Sequence, residues 1–441
     1  MTKENQNLID YCTKVLNDNA SDGYTVPSRE LYPHQWLWDS CFTAIGLRHV
    51  DIKRAQQELV SLKRGAWSNG MLPNIIFHDK FLNYDYTLWE SKLCPEAPRS
   101  FNTTCITQPP MLAEAIFKIG QKLNKAEQVE WYEKMFDCLL DYHLWLYKER
   151  DSDGDGLTVQ LHPYESGLDN SPPWMYMLKR IKFPWWIRAF NGHSAEVALN
   201  HFRRDVEFVP ASQRIGLKEA VQCFYIIRQL NIHRYKFTPK LTKMQPVMQD
   251  LVFNCIFIRA NRCLRDIATA INKPLPSELL ESMKKTENSL EKLWDEKHQQ
   301  YFSRNYNNKK LIKRSTIATF MPLYAGSISK KRADLLANKL KDEQSFKPTF
   351  PVPSVPLNSR RFNPDRYWQG PTWVNTNWLI VEGLHYYGLH EQADELANTS
   401  VGLVSNGGAY EYFSPLDGLP KGAKNFSWTA SLAIDLVKSR H

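Results

Sequence analysis

At 441 residues the chain is long enough for two or three average domains, or for one large helical or barrel domain, and its 43% apolar and 23% charged residues are those of an ordinary globular protein. A formal charge of +9 raises nucleic acid as a partner, but the Lys and Arg residues are dispersed and form no arginine-rich arm or known binding module, which sets that class aside. The polar N-terminus MTKENQNLIDYC and the lack of any run of about 18 apolar residues exclude an ordinary signal peptide and a membrane span, so a cytoplasmic protein is expected.

Leu8, Ile9, Cys12, Val15 and Leu16 recur at helical spacing and predict a first helix over 4–19. Tyr32-Pro33-His34-Gln35-Trp36-Leu37-Trp38-Asp39-Ser40 follows, with Asp39 and Ser40 as N-cap candidates for a helix running to about Lys63. Two indoles beside several hydrogen-bonding groups suit a sugar site; a plain cap beside two core tryptophans is the competing explanation. After the turn Asn69-Gly70-Met71-Leu72-Pro73-Asn74, the irregular segment 79–103 carries Tyr84, Tyr86 and Trp89. Thr107-Gln108-Pro109-Pro110 leads into a helix, with another over about 125–149. Asp151-Ser152-Asp153-Gly154-Asp155-Gly156 copies the opening of a calcium loop, but His162 stands where a bidentate Glu is needed, so an acidic helix-ending turn is expected and no metal.

The most loaded stretch is His162-Pro163-Tyr164-Glu165-Ser166-Gly167-Leu168-Asp169-Asn170-Ser171-Pro172-Pro173-Trp174. Its turn-forming residues make a loop, and aromatic and imidazole neighbours can keep one face dry enough to raise a carboxyl pKa, as a general acid requires. Helical spacing then resumes over 191–208, 212–231, 246–271, 276–296, 314–325 and 328–341. Pro348, Pro351, Pro353, Pro356 and Pro364 predict an extended stretch fixed against the domain. It delivers Tyr367-Trp368-Gln369-Gly370-Pro371-Thr372-Trp373 to a helix over 372–387, with 390–405 as its partner. A last loop holds Glu411 and Asp417, and Phe426 to Lys438 closes the chain as an apolar helix. The eight cysteines show no CxxC spacing and fall mostly in helical patterns, as small core residues do; neither zinc nor disulfides are expected. About a dozen helices with aromatic-rich connections suit a ring of helical hairpins.

The motifs YPHQWLWDS (32–40), NGMLP (69–73), TQPP (107–110), DGDGL (153–157), HPYESGLDNSPPW (162–174), YWQGPTWVNTNW (367–378), EYFSPLDG (411–418) and FSWTA (426–430) occur together and in order. This set resembles glycoside hydrolase family 63, specifically its bacterial glucosylglycerate and mannosylglycerate hydrolases, over nearly the full chain. The resemblance implies an all-α fold, an (α/α)6 barrel formed by residues 1–441 as one domain with inserted loops near 64–105, 162–190 and 342–371. It implies hydrolysis of an α-glycosidic bond with inversion, no cofactor, Asp169 as general acid and Glu411 as general base. Tyr32, Trp36, Trp38, Asp39, Gln108 and Gly167 would line the sugar subsite, and Tyr367, Trp368, Gln369 and Trp373 would close the other side. A QRPT-like glycerate loop of the family is replaced here by Gln213-Arg214-Ile215-Gly216, which retains Arg214 as the partner for a carboxylate.

Glu165 and Asp417 are the alternative carboxyls. A sugar-binding protein without turnover, a hydrolase of another α-linked glucoside or disaccharide, and an isomerase or lyase working through His162 or His193 are the competing readings. The expected partner is a small carbohydrate, without nucleic acid or membrane; assembly into a homo-oligomer stays open.

Overall fold

The computed structural model of the chain describes residues 2–78, 88–181 and 205–439. Helix α1 (Lys3–Asp18) buries Leu8, Ile9, Cys12, Val15 and Leu16, the residues whose spacing predicted it. The helix expected from Asp39 to about Lys63 is instead two, α2 (Leu37–Leu47) and α3 (Ile52–Leu62). Asp51 accepts the N–H of Arg54 and starts α3 afresh. Trp36, not Asp39 or Ser40, stands at the cap of α2. A carboxylate cap is unnecessary there, because the Asn74 carbonyl takes the N–H of Leu37 and the Gln108 side chain takes that of Trp38. Asp39 is thereby left in the first turn of α2, buried and directed elsewhere.

The chain continues through α4 (Leu112–Gly120), α5 (Lys125–Arg150), α6 (Pro172–Leu178), α7 (Asp205–Phe208), α8 (Leu217–Ile232), α9 (Pro239–Met244), α10 (Leu251–Ala270), α11 (Ser277–Ser289), α12 (Met321–Ala325), α13 (Lys330–Lys339), α14 (Val374–Tyr386), α15 (His390–Gly407) and α16 (Ser427–Lys438). Of the helix expected over 191–208, only α7 lies within the described residues. The pattern over 314–325 resolves into a 3-10 turn, Ile317–Phe320, followed by α12, and that over 276–296 ends in a second 3-10 turn, Leu290–Leu293.

Packing is sequential: α2 lies against α4, α4 against α10, α10 against α12, α12 against α14, α14 against α16, and α16 against α2. Around these lie α1 on α16, α3 on α2 and α4, α5 on α4 and α10, α11 on α10, α13 on α12, and α15 on α14 and α16. Every residue of α2 is buried, Asp39, Ser40 and Thr43 included, because neighbouring elements cover it on every side.

Short antiparallel strands tie the connections: β1 (Gln35–Trp36), β2 (Ile75–Phe77) and β3 (Asn102–Thr103) form one sheet, and near the C-terminus β4 (Tyr410–Phe413) pairs with β5 (Pro420–Lys424). Runs of two to five residues are too short to show a period of two, so the sequence carried no strand signal. The proline-rich stretch is fixed, as expected: Val352 N–H donates to Asn377, Ser354 N–H to the Pro371 carbonyl, and Thr372 exchanges backbone bonds with Phe413.

Asp151 caps the C-terminus of α5 and accepts the N–H of Gly156. Asp155 meets Lys292 at 2.8 Å, Lys309 at 3.2 Å, and Arg304, so this acidic turn is neutralised by the chain's own cations. Seven of the eight cysteines are buried, Cys138 is half-buried, and all are free. Among the described residues no helix is long and apolar enough to cross a membrane.

Candidate active site

The loops entering α2, α4 and α14 and the hairpin entering α16 converge, so the N-terminal ends of these helices face one cavity. The β4–β5 hairpin supplies Glu411. Between Tyr410 and Tyr412 the register slips, with Gly422 and Ala423 of β5 opposite the single residue Glu411. The slip turns the Ala423 N–H onto Glu411 Oε2 at 3.0 Å. Gly422 adopts φ +71°, and a Cβ there would lie 2.5 Å from Glu411 Oε2, so only glycine leaves room for the carboxylate. Tyr32 Oη donates to Glu411 Oε1 at 2.8 Å, and Arg214 Nη1 stands 3.4 Å from both carboxylate oxygens.

Asp169 is half-buried. Burial and the nearby charge of Glu411 push its carboxyl up to about 7, against the opposing pull of Arg214 and of a hydrogen bond from Tyr367. Asp39 is pushed well above the ordinary carboxyl range by burial, with Glu411, Asp169 and Glu58 adding to the effect. Among the described residues, three carboxyls therefore lie together with one guanidinium. Arg214 is 8% exposed and lies over the rings of Tyr367 (4.7 Å) and Tyr32 (5.4 Å). Arg214 is therefore not a solvated surface arginine.

Aromatic walls complete the cavity. Gly167, at φ +74°, has the Trp38 ring against it so closely that a Cβ would come within 2.5 Å. Trp38 meets Trp428 edge-on at 5.4 Å, and Tyr32 meets Trp36 edge-on at 5.6 Å. Trp368 and Trp373 stack at 3.7 Å with planes 6° apart. Asn170 locks the acid loop to this wall: its Oδ1 accepts the Trp368 N–H at 3.0 Å, and its carbonyl accepts the Gln369 amide at 2.9 Å. Tyr367 sits at φ +42°, a left-handed conformation rare for a bulky residue, beside the acid.

Every substrate-subsite residue expected from the sequence falls in this assembly, while the alternatives do not. Glu165 is fully buried but spoken for: it pairs with Arg150 at 2.7 Å and accepts the N–H groups of Leu161 and Thr107. Asp417 is exposed and caps the Leu419 N–H. His162 is buried between the Cys223 carbonyl and the Tyr164 N–H, and burial drives its pKa down to about 3, so it is neutral and structural. His193, Tyr84 and Tyr86 lie outside the described residues. Sequence reasoning missed Gly422 and Ala423, and named Gln213 only as a member of the Arg214 loop. Gln213 accepts from Tyr412 Oη on its carbonyl and from Gly422 N–H on its side chain at 2.9 Å, which moors the Arg214 loop to the Glu411 hairpin. The glycine in KGAK was the only available signal.

The family model of the mannosylglycerate hydrolase MGH1-like glycoside hydrolase domain matches residues 32–429. The chain belongs to the MGH1-like glycoside hydrolases. Among members of this family it is similar to the mannosylglycerate hydrolase of Thermus thermophilus, 36% identical over 428 residues that cover 96% of this chain and 98% of that one. It is also similar to the glucosylglycerate hydrolase of Mycolicibacterium hassiacum, 28% identical over 96% of this chain and 95% of that one. A crystal structure of the family 63 mannosylglycerate hydrolase from Thermus thermophilus, in complex with Tris and D-glycerate, superposes with a TM-score of 0.86 at 34% identity, over 97% of this chain and 99% of that one. As an MGH1-like enzyme the chain is a glycoside hydrolase with a mostly helical fold.

Proposed function

We propose that this chain is an inverting α-glycoside hydrolase that cleaves glucosylglycerate or mannosylglycerate on an (α/α)6 barrel formed by its whole length. The neighbour-to-neighbour packing of α2, α4, α10, α12, α14 and α16, each backed by an outer helix, supports the barrel. The pairing of Asp169 with Glu411 carries the chemistry. Inversion needs one carboxyl protonated and one ionised, on opposite sides of the scissile bond. Asp169, raised to about 7, can hold a proton at neutral pH and give it to the glycosidic oxygen as the bond to the anomeric carbon breaks. Glu411, held by Tyr32 Oη, Ala423 N–H and Arg214, accepts a proton from the water that attacks the anomeric carbon from the other face. The sugar leaves with inverted anomeric configuration and the aglycone leaves as its free alcohol.

Tyr32, Trp36, Trp38, Asp39, Gln108 and Gly167 form the sugar subsite in this reading, and Tyr367, Trp368, Gln369 and Trp373 the facing wall. A guanidinium paired with an aglycone carboxylate contributes about 1.5–3 kcal/mol through charge-assisted bonds, and Arg214 is the partner. The experiment is a substrate panel of glucosylglycerate, mannosylglycerate and neutral α-linked disaccharides, with proton NMR of the first sugar released. Preferred turnover of a glyceric acid glycoside to the β-anomer supports the reading; turnover of the disaccharides alone, or an α-anomer, overturns it.

A further inference from the structure

Arg214 stands where two roles compete. Its Nη1 is 3.4 Å from each oxygen of Glu411, clearly longer than the roughly 2.7–2.9 Å of a tight guanidinium–carboxylate pair. Glu411 does not depend on it for position, because Tyr32 Oη at 2.8 Å and Ala423 N–H at 3.0 Å already hold the carboxylate. The backbone beneath Arg214 is fixed through Gln213 to Tyr412 and Gly422, whereas its head group rests over two tyrosine rings, a surface on which a planar cation can shift while staying attracted. The pair with Glu411 is thus a contact that another carboxylate can displace.

We propose that Arg214 is held on Glu411 in the free enzyme and passes to the carboxylate of the aglycone when substrate binds, so that an acidic aglycone accelerates the chemical step as well as tightening binding. This rests on the acid–base and substrate reading given above. A guanidinium facing both Glu411 oxygens stands where the attacking water must reach them, and the aglycone carboxylate draws it away. The same guanidinium pulls the Asp169 carboxyl down, so its neutralisation also keeps Asp169 protonated. Both changes favour catalysis. A neutral aglycone leaves Arg214 on Glu411 and is turned over slowly even at saturation, which makes Arg214 a positioning residue that selects substrates through kcat.

The test compares the glyceric acid glycoside turned over in the panel with its carboxamide, a neutral analogue of nearly the same shape, using the wild-type protein, Arg214→Gln and Arg214→Lys. Wild type is expected to turn over the amide with a kcat at least about tenfold below that of the acid. In Arg214→Gln the two kcat values should converge, with the amide cleaved faster than by wild type, while Arg214→Lys keeps the discrimination. Equal wild-type kcat for acid and amide with the difference confined to KM, or an Arg214→Gln variant no faster on the amide, overturns the transfer and leaves Arg214 a binding residue only. Asp169→Asn and Glu411→Gln measured alongside separate the two levels: activity retained in either sinks the acid–base reading, whereas activity lost in both with unchanged acid-to-amide discrimination in Arg214→Gln sinks only the role of Arg214.

Discussion

Buried carboxyls lie both at the cavity and among the packed inner helices, in opposite states. At the cavity, Asp39 and Asp169 are pushed up, mainly by burial. Packed among the inner helices, Glu114 in the first turn of α4 and Asp435 near the end of α16 are at least as buried but are held down. Burial alone would raise Glu114, yet Arg259 at 2.8 Å and Lys118 at 3.6 Å outweigh it and bring the carboxyl to about 2. Asp435 is lowered in the same way by Arg48 at 2.5 Å, His49 and Lys118, and also accepts the Trp378 indole N–H at 2.8 Å. The difference is in the cations. Among the helices each carboxylate has its own arginine, with Lys118 between them, whereas at the cavity Arg214 is shared and a proton is retained on the acid instead. Glu58 shows that a raised carboxyl is not by itself a site: burial lifts it to about 7, but Ser40 binds it behind α2, away from the cavity.

The comparison breaks first at the chemistry. Asp169→Asn or Glu411→Gln is expected to lower kcat by roughly 10²–10⁴-fold with the melting temperature little changed, and near-normal turnover in either variant would move the role to another carboxyl. Among the packed helices the effect should be on stability instead. Asp435→Ala leaves the buried Arg48 without its carboxylate and should cost about 3–5 kcal/mol in denaturant unfolding, with kcat of the folded protein preserved. A neutral result there would mean that the network contributes nothing net.

Two titrations sharpen the contrast. If Asp169 is the acid, it works protonated, so kcat/KM should hold below its value of about 7 and fall as pH rises through it. Arg214→Gln should move that limb upward, since a cation that lowers the pKa is gone. Glu114 runs the other way: its folded value of about 2 lies below the ordinary 4.5, so its contribution to stability is present above pH 4.5 and lost as pH falls towards 2. An acid unfolding curve of Glu114→Gln should show a weaker dependence over that window. The smallest change expected is for Asp417→Asn. Exposed and outside the cavity, it should leave kcat and KM within about twofold; a large loss would return Asp417 to the candidate bases.

Sequence by itself determined helices such as α1, because the apolar spacing of Leu8, Cys12 and Val15 is a local property of the chain. It also determined that polar and aromatic groups cluster in the loops before α2, α4 and α14 and in the acid loop, since turn residues and tryptophans are legible one by one. Only the tertiary structure decided which carboxyls matter. Glu165 and Asp169 sit four residues apart in the same loop, and nothing local separates them. Arg150 and the Leu161 and Thr107 N–H groups satisfy Glu165, while Asp169 faces Arg214, Tyr367 and Glu411, contributed by distant parts of the chain. The cap of α2 was misjudged for the same reason, as Asn74 and Gln108 arrive from other loops to do what Asp39 was expected to do. Desolvation and Coulomb interactions act through space and hydrogen bonds are filled by whatever folding brings near, so protonation state and free valence are properties of the assembled cavity, not of the residues that line it.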